Sequence, residues 1–175
     1  MERLADWVIM PAGPGDAAEI ARVHVESWRQ TYPGILPAAY LEAMNPRLHA
    51  RRWRAQLTAA RTGEVVLLAE GPSGLLGYCA GATARDEGRI FTLYLLRPAQ
   101  RAGLGRRLLV GEARALAAQG ARTLELEVLS ENRPARGFYE RMGAKRAGER
   151  PVRGFGGGLL ETIYRWDDIS ALTGA

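Results

Sequence analysis

The spacing of hydrophobic residues changes from segment to segment along the chain, and each spacing predicts an element. Trp7-Val8-Ile9-Met10 is a short apolar run that predicts a first strand. The period then becomes helical. Ile20, Val23, His24 and Ser27 fall near one face of a helix expected to run to about residue 30. Asp16 and Glu19 have capping-box spacing at its start, with Asp16 taking exposed backbone donors and Glu19 reaching back. Pro33 and Gly34 stop it. A second helical region is expected over 37–61, broken at Asn45-Pro46, because proline lacks an amide hydrogen and restricts the residue before it.

Beyond residue 63 the pattern turns to strands. Residues 64–70 centre on Val65-Val66-Leu67-Leu68, Gly71-Pro72-Ser73-Gly74 is a turn, and 75–83 returns, which together predict an antiparallel hairpin. Residues 89–96 are mostly apolar and predict a central strand. Over 103–120, Leu104, Leu108, Leu109, Leu116 and Ala117 recur at helical spacing. Over 123–129, Leu124, Leu126 and Val128 alternate with Glu125 and Glu127, the mark of a strand with two unlike faces. Residues 134–142 predict a helix that opens on Pro134 and ends at Gly143. Residues 145–152 and 159–166 predict two last strands joined by the Gly-rich stretch 154–158. The strand–helix–strand unit over 89–129 requires a parallel crossover, and the hairpins on either side require antiparallel pairs. The expected fold is α/β (α+β): one domain over 1–175, core about 7–168, with a mixed, twisted seven-stranded sheet carrying helices on both faces.

Composition narrows the classes. With 47% hydrophobic and 25% charged residues in 175 positions, the chain reads as an ordinary soluble globular protein. No apolar run approaches the roughly 20 residues that span a bilayer, so no membrane role is expected. The first residues are partly acidic with no long apolar stretch behind them, which argues against a signal peptide and for a cytoplasmic location. The one cysteine, Cys79, lies in an apolar stretch and reads as a small buried hydrophobe. The net charge of +5 comes almost wholly from arginine. Arg51, Arg52 and Arg54 suit a solvated helix face. The arginines between 101 and 107 coincide with a Gly-rich turn, so a phosphate-bearing ligand explains them more simply than nucleic acid does. No His/Cys cluster has metal-ligand spacing, and no metal is expected.

That turn is Gln100-Arg101-Ala102-Gly103-Leu104-Gly105-Arg106, between a buried strand and a helix. Two glycines let a ligand approach the backbone, and the exposed N–H groups of loop and first helical turn make an anion site that the helix dipole reinforces. Taken alone, Gly-x-Gly also fits a plain strand-to-helix turn. No Gly-Lys-Ser/Thr closes a P-loop, and Leu108 stands where a dinucleotide fingerprint needs a third small residue.

These residues resemble the Gln/Arg-x-x-Gly-x-Gly/Ala motif of the GNAT acetyltransferases. A second stretch, from Asn132 through Phe138-Tyr139 to Gly143, resembles the later motif of that family. The element order fits its fold over nearly the whole chain. The resemblance implies attack of a neutral amine on the thioester of acetyl-CoA, with the cofactor wedged between two splayed strands, here 89–96 and 123–129. It places the pantetheine arm along Leu93, Tyr94 and Leu95, and the pyrophosphate on Gln100, Arg101, Ala102, Gly103, Leu104, Gly105 and Arg106. Asn132 contacts the cofactor arm or caps the next helix, or both. Tyr139 is the candidate general acid for the leaving thiolate, with a packing tyrosine beside Phe138 on an amphipathic helix as the alternative reading. Many relatives carry a glutamate where Arg89 stands, so Glu127, acting through a water, is a candidate base; a charged residue on a half-exposed strand face is the alternative reading.

The stretch from His24 to Pro37 resembles a GNAT subgroup with a recurring Ser-Trp…Tyr-x-Gly-Ile-Leu-Pro segment. Glu26, Trp28 and Tyr32 are candidates for the acceptor wall, since acidic and aromatic groups suit a cationic amine; core anchors are the alternative reading of Trp28 and Tyr32. His24 reads as a packed or hydrogen-bonded helix histidine. The acceptor is then a small-molecule or peptide amine, with no nucleic acid, no membrane, and a homodimer through the last strands as an option. A non-catalytic acyl-CoA-binding or regulatory module on the same fold is the alternative.

Overall fold

The computed structural model describes residues 7–153 and 158–174. The Gly-rich stretch predicted between the last two strands lies, over 154–157, outside them. Among the described residues the order is β1 (Val8–Pro11), α1 (Ala17–Thr31), α2 (Ala38–Ala43), α3 (Pro46–Ala59), β2 (Glu64–Gly71), β3 (Gly74–Ala84), β4 (Glu87–Leu95), α4 (Leu104–Ala118), β5 (Thr123–Leu129), α5 (Arg133–Arg141), β6 (Lys145–Pro151), β7 (Leu160–Trp166) and α6 (Ser170–Thr173). Seven strands form one sheet in the order β1-β2-β3-β4-β5-β7-β6. β4 and β5 pair in parallel and their neighbours pair antiparallel, as the crossover and the hairpins require.

Strand alternation sorts side chains to the two faces. Ala69, Cys79, Ile90, Leu124 and Leu126 pack with Leu104, Leu108, Leu109 and Leu116 of α4 and with Tyr139 of α5. On the other face Val66, Leu68, Tyr78 and Ala80 pack with Ile20 and Val23 of α1 and Trp53 of α3. A third cluster joins Val25, Tyr32, Leu36 and Leu41 to Leu129 and Leu159. Cys79 is buried, and Arg51, Arg52 and Arg54 are exposed on α3.

The capping box is not formed. Asp16 closes a short 3-10 turn, Pro14–Asp16, where its Oδ2 accepts the Gly13 N–H at 2.7 Å. It makes no side-chain bond to the first turn of α1, and Glu19 pairs with Arg22 at 3.0 Å. The turn at Gly13-Pro14-Gly15 claims the aspartate first, because a local backbone donor competes directly with the cap.

Candidate active site

β4 is central in the sheet but is not sandwiched between strands along its length. Its ladder with β5 runs from Glu87↔Thr123 to Ile90↔Leu126 and stops, while β4 continues to Leu95 and β5 to Leu129. Past Ile90, the edge of β4 that faces β5 has no strand partner among the described residues. Backbone donors and acceptors on such an edge need water or an incoming extended ligand. A bulge marks the same place: Ala80 pairs with Thr92 and Gly81 with Ile90, so Phe91 is the extra residue, 56% exposed. Bulges bend and twist a strand, which accounts for its departure from β5. Leu93, Tyr94 and Leu95 are consequently only half-buried.

The open edge leads to the loop before α4. Gln100 Nε2 donates to the Leu95 carbonyl at 3.0 Å and ties the loop to the strand end. Two residues then adopt left-handed backbone, Arg101 at φ 60° and Gly103 at φ 81°. Glycine suits that conformation, which costs other residues about 1–2 kcal/mol. Gly103 is the N-cap of the 15-residue α4 and provides no side-chain hydrogen bond to it. The first-turn amides therefore keep their anion-binding capacity, with the helix dipole behind them and exposed Arg101 and Arg106 beside them. Leu104 is fully buried and anchors the turn. Gly105 has a packing reason as well: a Cβ there would stand 3.2 Å from Leu95 Cδ1 and 3.6 Å from Phe138 Cζ.

Across the gap, α5 begins where β5 ends. Asn132 is its N-cap, buried, with Oδ1 accepting the Ala135 N–H at 3.3 Å. Arg136 donates to the Ser130 carbonyl at 2.9 Å, and Trp166 Nε1 to the Met142 carbonyl at 2.9 Å, so both ends of α5 are held. Tyr139 is buried on its inner face, and burial pushes its hydroxyl well above a phenol's ordinary value. It stays protonated at neutral pH. Tyr32 reaches the same region from α1: burial raises its pKa, while Asn132 and then Tyr94 interact with its hydroxyl and pull the other way.

The other wall is aromatic. Trp28 stacks on His24 at 5.3 Å between ring centroids and meets Tyr32 edge-on at 5.1 Å and Tyr94 at 6.1 Å. Trp28 and Tyr32 thus converge on β4 beside its open stretch. Glu26 does not join them. It leaves α1 on another face, where it accepts from Arg22 at 3.1 Å and from Gln30 at 3.2 Å.

Glu127 lies on β5, 17% exposed, with one oxygen shared between the guanidinium groups of Arg89 and Arg150. Arg150 also binds Glu161 at 2.6 Å. One Glu127 oxygen is therefore already engaged by two guanidinium groups, which any water-mediated contact would have to share. Arg89, standing where a carboxylate was expected, is thus one of Glu127's two cation partners.

A buried carboxyl was not foreseen, and the half-buried His24, expected to be packed or hydrogen-bonded, finds its partner far along the chain. Glu112 of α4 is fully buried, and neither carboxyl oxygen has a hydrogen bond among the described residues. Desolvation raises its pKa to about 9, with the Gly81 backbone acting weakly the other way. His24 Nδ1 lies 2.7 Å from the Tyr78 hydroxyl. The first was visible in principle, since position 112 falls on the apolar stripe of α4; the second joins residues 54 apart and carried no local signal.

The Acetyltransferase (GNAT) family profile matches residues 21–144, a span that holds both the parted strands and the α4 turn. The chain belongs to this family. It is 32% identical over 163 residues to the uncharacterized N-acetyltransferase YuaI of Bacillus subtilis, covering 90% of this chain and 91% of that one. Among solved structures, the PaiA N-acetyltransferase of Thermoplasma acidophilum, in complex with coenzyme A, superposes with a TM-score of 0.77 at 20% identity, over 91% of this chain and 97% of that one. YncA of Salmonella typhimurium, solved with its cofactor acetyl-CoA, gives 0.69 at 19% identity, over 91% and 92%. These likenesses support the GNAT fold, and the family makes this acetyltransferase an acyltransferase enzyme. Among the described residues no group of three or more His, Cys, Asp or Glu is placed to hold a metal, and no helix is long and apolar enough to cross a membrane.

Proposed function

We propose that the chain transfers the acetyl group of acetyl-CoA directly to a primary amine of a small molecule or peptide, working as one domain. The observation that carries this reading is the parting of β4 from β5 beside the side-chain-uncapped N-terminus of α4. The gap offers an extended arm the unpaired edge at Leu93, Tyr94 and Leu95. The turn at Gln100, Arg101, Ala102, Gly103, Leu104, Gly105 and Arg106 offers a diphosphate backbone donors and positive charge. A thioester lying along that edge can have its oxygen polarised by a β4 amide as charge develops there. Asn132, the N-cap of α5, and Tyr139 both interact with Tyr32, which supports a role for them on this side of β4. Tyr139, protonated at neutral pH, is the acid for the departing thiolate. Trp28 and Tyr32 line the acceptor side.

Glu127 held by two arginines favours one other reading, a non-catalytic acyl-CoA-binding module. A thiol-release assay with acetyl-CoA and a varied panel of amines separates the two. Release that depends on an amine supports transfer. Calorimetric binding of acetyl-CoA with no release across the panel supports the binding module, and no binding at all removes both.

A further inference from the structure

The transfer must dispose of a proton. An amine as basic as a lysine side chain (pKa about 10.4) arrives as an ammonium ion, which has no lone pair, and has to lose one N–H proton before it can attack the thioester. Glu127 already has one oxygen shared between Arg89 and Arg150. The other side of β4 offers a separate route.

Thr92 is the residue just after the bulge, where β4 leaves β5. Its Oγ1 is buried and makes no hydrogen bond among the described residues, yet it lies near enough to the Tyr78 hydroxyl to affect that group's ionisation. The register explains the proximity. Ala80 pairs with Thr92 and Tyr78 with Tyr94, so Tyr78 and Thr92 are diagonal neighbours on one face. Tyr78 is fully buried, and its hydroxyl meets His24 Nδ1 at 2.7 Å. The His24 ring lies 4.6 Å from that of His49, which is half-buried on α3 and opens to solvent.

We propose that Thr92, Tyr78 and His24 form a proton path from the acceptor side of the parted strands to His49 and solvent. The inference rests on the acetyl-transfer reading above. Before attack, one N–H bond of the ammonium ion breaks and its proton passes through a water to the Thr92 oxygen, in the same movement in which Thr92 gives up its own hydroxyl proton. Thr92 Oγ1, which holds no other hydrogen bond among the described residues, turns to the neighbouring Tyr78 oxygen to pass on its hydroxyl proton, and Tyr78 passes its proton to His24 Nδ1. His24 releases the proton on Nε2 towards His49 or water. The net change is one proton moved from the ammonium to solvent. His24 acts through the hydroxyls and not on the substrate. The titratable groups that face it are His49 from α3, Tyr78 from β3 and Tyr94 from β4, with Arg52 acting on His49. Burial first, and His49 second, lower the His24 pKa to about 4, so the ring rests neutral and hands protons on without trapping them.

The test compares Tyr78→Phe and His24→Gln with the wild type, using acetyl-CoA and two amines of similar size. One amine is as basic as lysine; the other is a fluorinated analogue already neutral at the assay pH. Thermal melting and acetyl-CoA calorimetry accompany the kinetics, and Tyr78→Phe, which keeps the ring, serves if His24→Gln fails to fold. The expected result is a fall in kcat of about 100-fold with the basic amine, less than about twofold with the neutral one, and unchanged acetyl-CoA affinity. The acid limb of the pH profile should steepen in the variants with the basic amine alone. Equal losses with both amines assign these residues to packing and overturn the path, as does no loss with either. A wild type that binds acetyl-CoA but releases no thiol with either amine overturns the transfer reading itself, and the path with it.

Discussion

Glu112 lets the packing of the core be tested by pH. Its carboxyl has an ordinary value of 4.5 and is raised to about 9 between α4 and β3. Between those values the unfolded chain has released this proton and the folded chain keeps it, so stability falls as pH rises through the window and levels off above about 9. Each pH unit costs at most about 1.4 kcal/mol, which gives an upper bound of about 4 kcal/mol between pH 6 and 9. Glu112→Gln keeps the shape and removes the titration. At about 2–4 °C per kcal/mol for a chain of this size, the melting temperature of the variant relative to wild type should rise by roughly 10 °C between pH 6 and 9. Subtracting the wild-type curve from the variant curve cancels every other titrating group. A difference that stays constant with pH would refute the claim that a buried, unpaired carboxyl is kept neutral in this core.

Three further substitutions probe the site. Tyr139→Phe should lower kcat about 100-fold and leave acetyl-CoA affinity and melting temperature nearly unchanged, measured by thiol release, calorimetry and circular dichroism; undiminished turnover would remove Tyr139 from the mechanism. Gly103→Ala forces a side chain into φ 81° and should cost about 1–2 kcal/mol of stability while weakening acetyl-CoA binding; wild-type affinity would mean the α4 turn does not hold the diphosphate. Glu127→Gln leaves Arg89 and Arg150 facing each other without their shared anion. Because both arginines are about half exposed and screened by solvent, the melting temperature should fall only slightly, and an unchanged midpoint would show that the pair contributes nothing.

Where the chemistry of neighbouring residues decides the structure, the sequence was readable. The alternation in β5 placed Leu124, Leu126 and Val128 on the α4 face and Glu125 and Glu127 on the other, and Asn45-Pro46 divided α2 from α3 as expected. The α4 turn was legible because left-handed backbone and an approachable helix end both ask for glycine. Register was not. Nothing local says that β4 bulges at Phe91, that Arg89 meets Glu127 across the parallel pair, or that His24 meets Tyr78, since each depends on how two distant segments slide past each other. Asp16 failed for the opposite reason: a nearer donor, the Gly13 amide, outcompeted the helix it was expected to cap.

Amide hydrogen exchange, with and without acetyl-CoA, tests the central claim most directly. If the thioester arm lies along the unpaired edge of β4 and the diphosphate sits on the start of α4, protection should rise together at residues 92–96 and 103–107, and α3 should be left unchanged. Saturating acetyl-CoA that protects neither segment, or only one of them, would contradict it.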